Sequence, residues 1–286
     1  MGLFTKATKE QARLRMALIG LSGGGKTYTA LKIATGLSDR VAVIDTERGS
    51  ASKYSDIFDF DRLELESFEP EKYMQAIKAA EEEGYGAVII DSLSHAWNGT
   101  GGLLERHDNI KLKSGSQNSY MAWGQITPVH TRLIDTMLQT KMHLIVTMRT
   151  KTEYVIENIN GKQVPRKIGT QPIQRDGMEY EFDCVGDMDI DHNLIVGKTR
   201  ITGTDGKVYN KPGDELVDTL KAWLSTGAPM ITIAQGNEIS AMADYKVIPD
   251  KYAYTVQKEY LDKLTQARAD ELIAWLKSLP MKEQAA

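Results

Sequence analysis

Residues 20–27 read Gly-Leu-Ser-Gly-Gly-Gly-Lys-Thr, the spacing G-x-x-x-x-G-K-[ST] of a phosphate-binding loop. Its glycines let backbone N–H groups converge on phosphate oxygens. Gly20, Ser22, Gly23, Gly24, Gly25 and the following Tyr28 are therefore the candidate nucleotide-binding positions. Lys26 adds charge at the outer phosphates, and Thr27 offers a hydroxyl to Mg2+. Two carboxylates follow. Asp91 ends the apolar run Ala87-Val-Ile-Ile and is the second Mg2+ candidate, in the Walker B pattern. Glu47 follows Ile44-Asp45-Thr46, where a carboxylate can orient the water that attacks a γ-phosphate. Read alone, Glu47 is as well explained as a surface residue closing a loop. Together the residues imply ATP and Mg2+ as ligands.

These residues need a scaffold that gathers strand ends. Apolar runs at Met16–Ile19, Val41–Asp45, Gly86–Asp91 and Met142–Thr147 read as buried strands, and Leu63–Phe68 as a shorter one. Helical patterns lie between them at Tyr28–Leu37, Pro70–Glu83 and Ser119–Thr140. The alternation predicts an α/β core with a mostly parallel sheet. Beyond it, Glu153–Ile168 reads as a hairpin turning at Asn160-Gly161, and 182–190 and 193–202 as paired strands. A helix at Asp214–Ser225 and the linker 226–229 end the core. The expected division is residues 1–227 as the ATPase core and 228–286 as a small helical C-terminal domain, with Tyr252, Tyr254, Tyr260 and Trp275 as its core.

Composition narrows the class. The chain has 286 residues and a net charge of −4, so any nucleic-acid binding must be local. Cys184 is the only cysteine, which excludes an intrachain disulfide and fits a cytoplasmic protein. No apolar run has the length of a membrane span, so no membrane partner is expected.

The order of P-loop, a strand ending Ile-Asp-Thr-Glu, and a Walker B strand ending Asp-Ser resembles the RecA family, and most closely the core-only ATPases of phage type. The resemblance covers roughly residues 14–202. It implies a RecA-like P-loop NTPase core with Glu47 as catalytic base and Thr27 and Asp91 at Mg2+. It also implies single-stranded DNA as partner and homo-oligomers, ring or filament, that share ATP sites. Such proteins act in recombination and single-strand annealing of phage DNA, which would place this one in the host cytoplasm. Where the family has a γ-phosphate-sensing Gln, this chain reads Thr147-Met-Arg-Thr-Lys151, so Arg149 becomes the phosphate-contacting candidate. Lys198 and Arg200 alternate on a strand and resemble the basic pair such proteins place against a neighbour's ATP.

Residues 149–175 hold six Lys/Arg and two acids, a local +4. Lys151, Lys162, Arg166, Lys167 and Arg175 are the DNA-binding candidates, in the position of the second DNA loop. The stretch Gly99–Gly124 corresponds to the first loop, with Tyr120 and Trp123 able to stack on bases or to pack inward. Two other readings stay open. One is a ring helicase or loader-like motor. The other is a regulatory ATP switch that binds a protein partner through its helical tail.

Overall fold

The computed structural model describes residues 12–114, 119–159, 162–229, 231–261 and 264–282, without the side chains of 114, 152–169, 233, 258 and 259. The chain divides into two compact units, one spanning Arg13–Trp223 and one beginning at Leu224.

The first unit is an α/β fold around a sheet of nine strands. In chain order these are β1 (Arg15–Gly20), β2 (Val41–Asp45), β3 (Asp61–Glu64), β4 (Ala87–Asp91), β5 (His143–Ile159), β6 (Lys162–Pro172), β7 (Cys184–Met188), β8 (Asn193–Thr199) and β9 (Val208–Asn210). They stand in the order β3-β2-β4-β5-β1-β7-β8-β9, with β6 paired to β5 alone among the described residues. Strands β3, β2, β4, β5, β1 and β7 run parallel. Every residue of β1, β2 and β4 is buried, as expected of strands covered on both faces. Strands β8 and β9 add antiparallel edges.

The helices of this unit are α1 (Lys26–Leu37), α2 (Pro70–Glu82), α3 (Ser94–Asn98), α4 (Leu103–Ser114), α5 (Ser119–Gln139) and α6 (Asp214–Ser225). Helix α2 starts with Pro70, whose missing N–H costs nothing at a helix start, and buries Tyr73, Ala76, Ile77 and Ala80. Tyr73, Ile77, Val88, Ile90, Leu133, Leu144 and Val146 meet in one core cluster.

Three expectations change. The expected loop over Gly99–Gly124 is mostly helical, because α4 and α5 occupy it on either side of 115–118. The strand at Met142–Thr147 does not stop before the hairpin. β5 is one strand of 17 residues that leaves the parallel sheet and pairs antiparallel with β6 from Thr150↔Pro172 to Ile159↔Lys162. The turn at Asn160-Gly161 lies outside the described residues. The strand expected over Leu63–Phe68 is β3, which starts earlier and ends at Glu64.

The amino end of β1 is closed by a buried cation. The Arg15 guanidinium donates to the carbonyls of Leu14 (3.1 Å), Met142 (2.7 Å), Leu138 (3.0 Å) and Thr140. Burial lowers its pKa to about 10 although Asp183 opposes the shift. Beside it, the Leu14 N–H donates to His143 Nδ1 (3.1 Å).

The second unit contains α7 (Ile233–Tyr245), α8 (Lys258–Leu261) and α9 (Gln266–Ser278). Thr232 and Gln235 form a capping box at the start of α7, and the Thr265 hydroxyl accepts from the Arg268 N–H at α9. Its core is aliphatic: Ile239, Met242, Leu261, Leu264, Ala269, Ile273 and Leu276. The expected tyrosine core is corrected here. Tyr254 and Tyr260 are exposed and touch each other edge to face, while Trp275 packs on the aliphatic cluster. Among the described residues no helix is long and apolar enough to cross a membrane.

Candidate functional site

Register brings the expected chemistry to the carboxyl edge of the sheet. Gly20 lies opposite Arg149 on one side and Met188 on the other, and Asp45 lies opposite Asp91. The connections from β1 run first to one half of the sheet and later to the other, so the crevice opens at the P-loop strand.

Two glycines of the loop, Gly23 (φ 83°) and Gly25 (φ 88°), hold left-handed backbone that other residues resist. A Cβ on Gly20 would stand 2.3 Å from the Met188 carbonyl oxygen, so only glycine lets β7 approach there. Gly25 is the N-cap of α1, whose positive dipole end faces the loop. Lys26 Nζ donates to the carbonyls of Gly20 (2.9 Å) and Leu21 (2.8 Å). Burial lowers its pKa, with Asp91 and Glu47 opposing. Tyr28 touches Tyr54 and Phe58 edge to face at 5.7 and 5.1 Å.

Asp91 is buried and accepts from two hydroxyls, Thr27 Oγ1 on Oδ2 (2.7 Å) and Thr147 Oγ1 on Oδ1. Burial pushes its carboxyl up, and the two hydroxyl bonds do not cancel that push. A hydroxyl beside a carboxylate is a hard, oxygen-only donor set, which fits Mg2+ in the company of phosphates.

Glu47 is positioned by Asp45. The buried Asp45 carboxylate accepts from the N–H of Glu47 (2.7 Å) and of Gly49 (2.8 Å), which folds 46–49 back over the strand end. Both Glu47 oxygens meet Arg149: Nε donates to Oε1 (2.8 Å) and Nη2 to Oε2. Burial pushes the Glu47 carboxyl up, but hydrogen bonding and charge attraction from Arg149 outweigh it and hold the group low. The Arg149 N–H donates to Ser94 Oγ (2.9 Å), so the start of α3 fixes the base of this pair. Thr46 Oγ1 lies 2.7 Å from His95 Nδ1, and the His95 ring stacks on Phe68. Glu47, Arg149, Asp91 and the P-loop line a cavity of about 1040 Å³, whose lining also includes Lys32 and Asp214, paired at 2.7 Å.

The remaining candidates lie elsewhere. Lys198 and Arg200 do not share a strand face, because β8 ends at Thr199. Lys198 Nζ donates to the carbonyls of Glu179 (3.1 Å), Tyr180 (2.6 Å) and Phe182 (2.6 Å), which uses all three of its donors. Arg200 pairs with Asp183 at 2.9 Å and stays 58% exposed. Lys151 is exposed at the root of the β5–β6 ribbon. Lys162, Arg166 and Lys167 lie on β6, in register with Ile159, Val155 and Tyr154, and their side chains fall outside the described residues. Arg175 lies over the Trp123 ring, 5.7 Å from its centre, and Trp123 stacks on Trp97.

Sequence reading missed Thr147, Asp45, His192 and Lys211 at this site. A hydroxyl closing the apolar run 142–146 was the available signal for Thr147. For His192 and Lys211 no spacing signal exists.

A family model described as AAA domain matches residues 12–223. No curated protein matches the chain. One solved structure, from a structural study of a Pyrococcus horikoshii OT3 project target, shares 13% identity at a TM-score of 0.35, over 70% of this chain and 95% of that one.

Proposed function

The chain belongs to the AAA domain family of P-loop ATPases, and from that premise we propose that it is an ATP-dependent single-stranded-DNA-binding protein. It acts in recombination or strand annealing as an oligomer with ATP sites between subunits. The observation that supports this reading is the continuity of β5. One strand carries Arg149 beside Glu47 at the nucleotide cavity and, from Thr150 onward, one arm of the ribbon that bears the basic cluster. A change in Arg149's partner is thus made at the root of the DNA-facing element.

Hydrolysis follows from the same pair. While Arg149 bonds both its oxygens and holds its pKa low, Glu47 is a weak acceptor for a proton from water. Phosphate oxygens offer Arg149 an equivalent two-pronged partner, so a seated γ-phosphate draws it away and frees the carboxylate. Glu47 then orients the attacking water and accepts its proton. Lys26 shifts from the Gly20 and Leu21 carbonyls to the outer phosphates. Thr27 and Asp91 hold Mg2+, which when bound supplies charge to the departing phosphate. Arg200 is the group we assign to the neighbour's site, since Lys198 is already committed to carbonyls of its own chain.

The test is ATP hydrolysis with and without single-stranded DNA across protein concentration, beside a variant reversing Arg166 and Lys167 to Glu. Stimulation that rises steeply with concentration and vanishes in the variant supports the reading. ATP turnover indifferent to DNA at every concentration refutes it. If Arg200→Ala hydrolyses normally at high concentration, the shared site is lost.

A further inference from the structure

The strand order sets the direction of a bound nucleotide. Asp91, Glu47 and Arg149 come from strands on one side of β1. His192, in the turn between β7 and β8, and Lys211, just past β9, come from the other side, and both line the same cavity. The P-loop stands between the two groups. A phosphate chain whose outer end meets Asp91 and Arg149 therefore points its nucleoside at His192 and Lys211. His192 Nδ1 lies 3.1 Å from where a Cβ on Gly25 would stand, so the imidazole packs directly on the last glycine of the loop.

The backbone marks the same place. Among the described residues, the non-glycine positions with left-handed φ are Arg48 (53°), His192 (62°) and Lys211 (47°). Arg48 follows Glu47, and the other two line the cavity. Such conformations persist where the surroundings over-determine them, and they gather at ligand sites. Here Asp189 supplies the constraint. Its carboxylate accepts from the N–H of Asp191 (2.9 Å) and of Asn193 (2.8 Å) and from Asn193 Nδ2 (2.8 Å). The Lys211 N–H then donates to the His192 carbonyl (2.8 Å), tying the two residues together.

Hydrolysis uses neither residue. We infer that His192, with Lys211 beside it, recognises the sugar and α-phosphate of a nucleoside di- or triphosphate. The imidazole nitrogens can hydrogen-bond a ribose hydroxyl, and an ammonium matches a phosphate oxygen. The inference rests on the P-loop reading above and names the specificity residues of that site.

Calorimetric titration with Mg2+-ADP and with Mg2+-tripolyphosphate separates the nucleoside from the phosphates. His192→Gly is the informative variant, because glycine adopts φ near 62° without strain. It should weaken ADP roughly tenfold and leave tripolyphosphate unchanged. His192→Asn, which tolerates left-handed backbone and keeps a donor and an acceptor, should recover part of the loss. Unchanged ADP affinity overturns the inference. So does a parallel loss of both ligands, which would mean that His192 only shapes the loop at Gly25. If the unaltered chain binds neither ligand, the P-loop reading itself fails, and that is seen before any variant is made.

Discussion

At the amino end of β1 the Arg15 guanidinium donates to four carbonyls, and at the opposite edge of the sheet Asp91 accepts from two hydroxyls. Both groups are buried. Arg15 is met by backbone carbonyls at both terminal nitrogens, while its buried Nε has no hydrogen-bond partner, so its charge closes the sheet. Asp91 is met by neutral hydroxyls that leave its carboxyl pushed up by burial. A cation placed there would relieve that burial penalty, whereas the terminal nitrogens of Arg15 already have four carbonyl partners. One buried group is held by backbone carbonyls, and the other keeps a burial penalty that its hydroxyl partners do not cancel.

That contrast can be broken first at its structural end. Arg15→Met removes the donor from four carbonyls and should cost about 3–5 kcal/mol of stability, read by urea unfolding. Folded protein at low temperature should still bind ADP. Loss of nucleotide affinity in step with stability would erase the distinction between the two edges. At the other edge, Asp91→Asn should cut hydrolysis about 10²–10³-fold while the unfolding midpoint stays level or rises, because a desolvated carboxylate is gone. Destabilisation like that of the Arg15 variant would show that Asp91 is structural after all.

Glu47→Gln keeps the shape and removes the base. Hydrolysis should drop about 10²-fold or more with ADP affinity within about twofold of the original, since general-base catalysis is worth that much. Retained turnover would move the water-orienting role elsewhere.

The smallest effect lies back at the amino end. His143 accepts a backbone N–H in its neutral form, and burial lowers its pKa to about 4 from an ordinary value near 6.5. The folded state therefore binds fewer protons than the unfolded state between those values. Its contribution, about 1–3 kcal/mol, is present above pH ~6.5 and is lost as pH falls toward ~4. His143→Gln keeps an acceptor without titrating, so its acid-unfolding profile should be flatter over that window. An unchanged slope would assign the acid sensitivity to other groups, His130 among them, which is lowered to about 4 as well.

Much of this was legible in the sequence where spacing and burial coincide. Gly20–Thr27 and Asp91 stand at strand ends whose apolar runs have no other reading, and the sheet follows from them. Glu47 was placed by resemblance, and Asp45 explains physically why it turns inward. Partners distant in sequence were not legible. Lys198 alternates with Arg200 on paper, yet three carbonyls of the 178–182 turn claim its ammonium. The break expected after Thr147 does not exist, because composition changes there while the backbone stays extended. The stretch 99–124 has loop-like glycines and serines, and tertiary packing of α4 on α5 overrides them. His192 gave no signal, since its meaning comes from a glycine on another strand's loop.

The unbroken length of β5 also limits how the protein can vary. Side chains alternate along a strand, so one residue added between Arg149 and the ribbon would exchange every face of the ribbon arm beyond it. Residues added beyond the pair Ile159↔Lys162 leave the root and its register untouched. Relatives and engineered variants should therefore differ freely in ribbon length and keep the count from Arg149 to the first ribbon pair fixed.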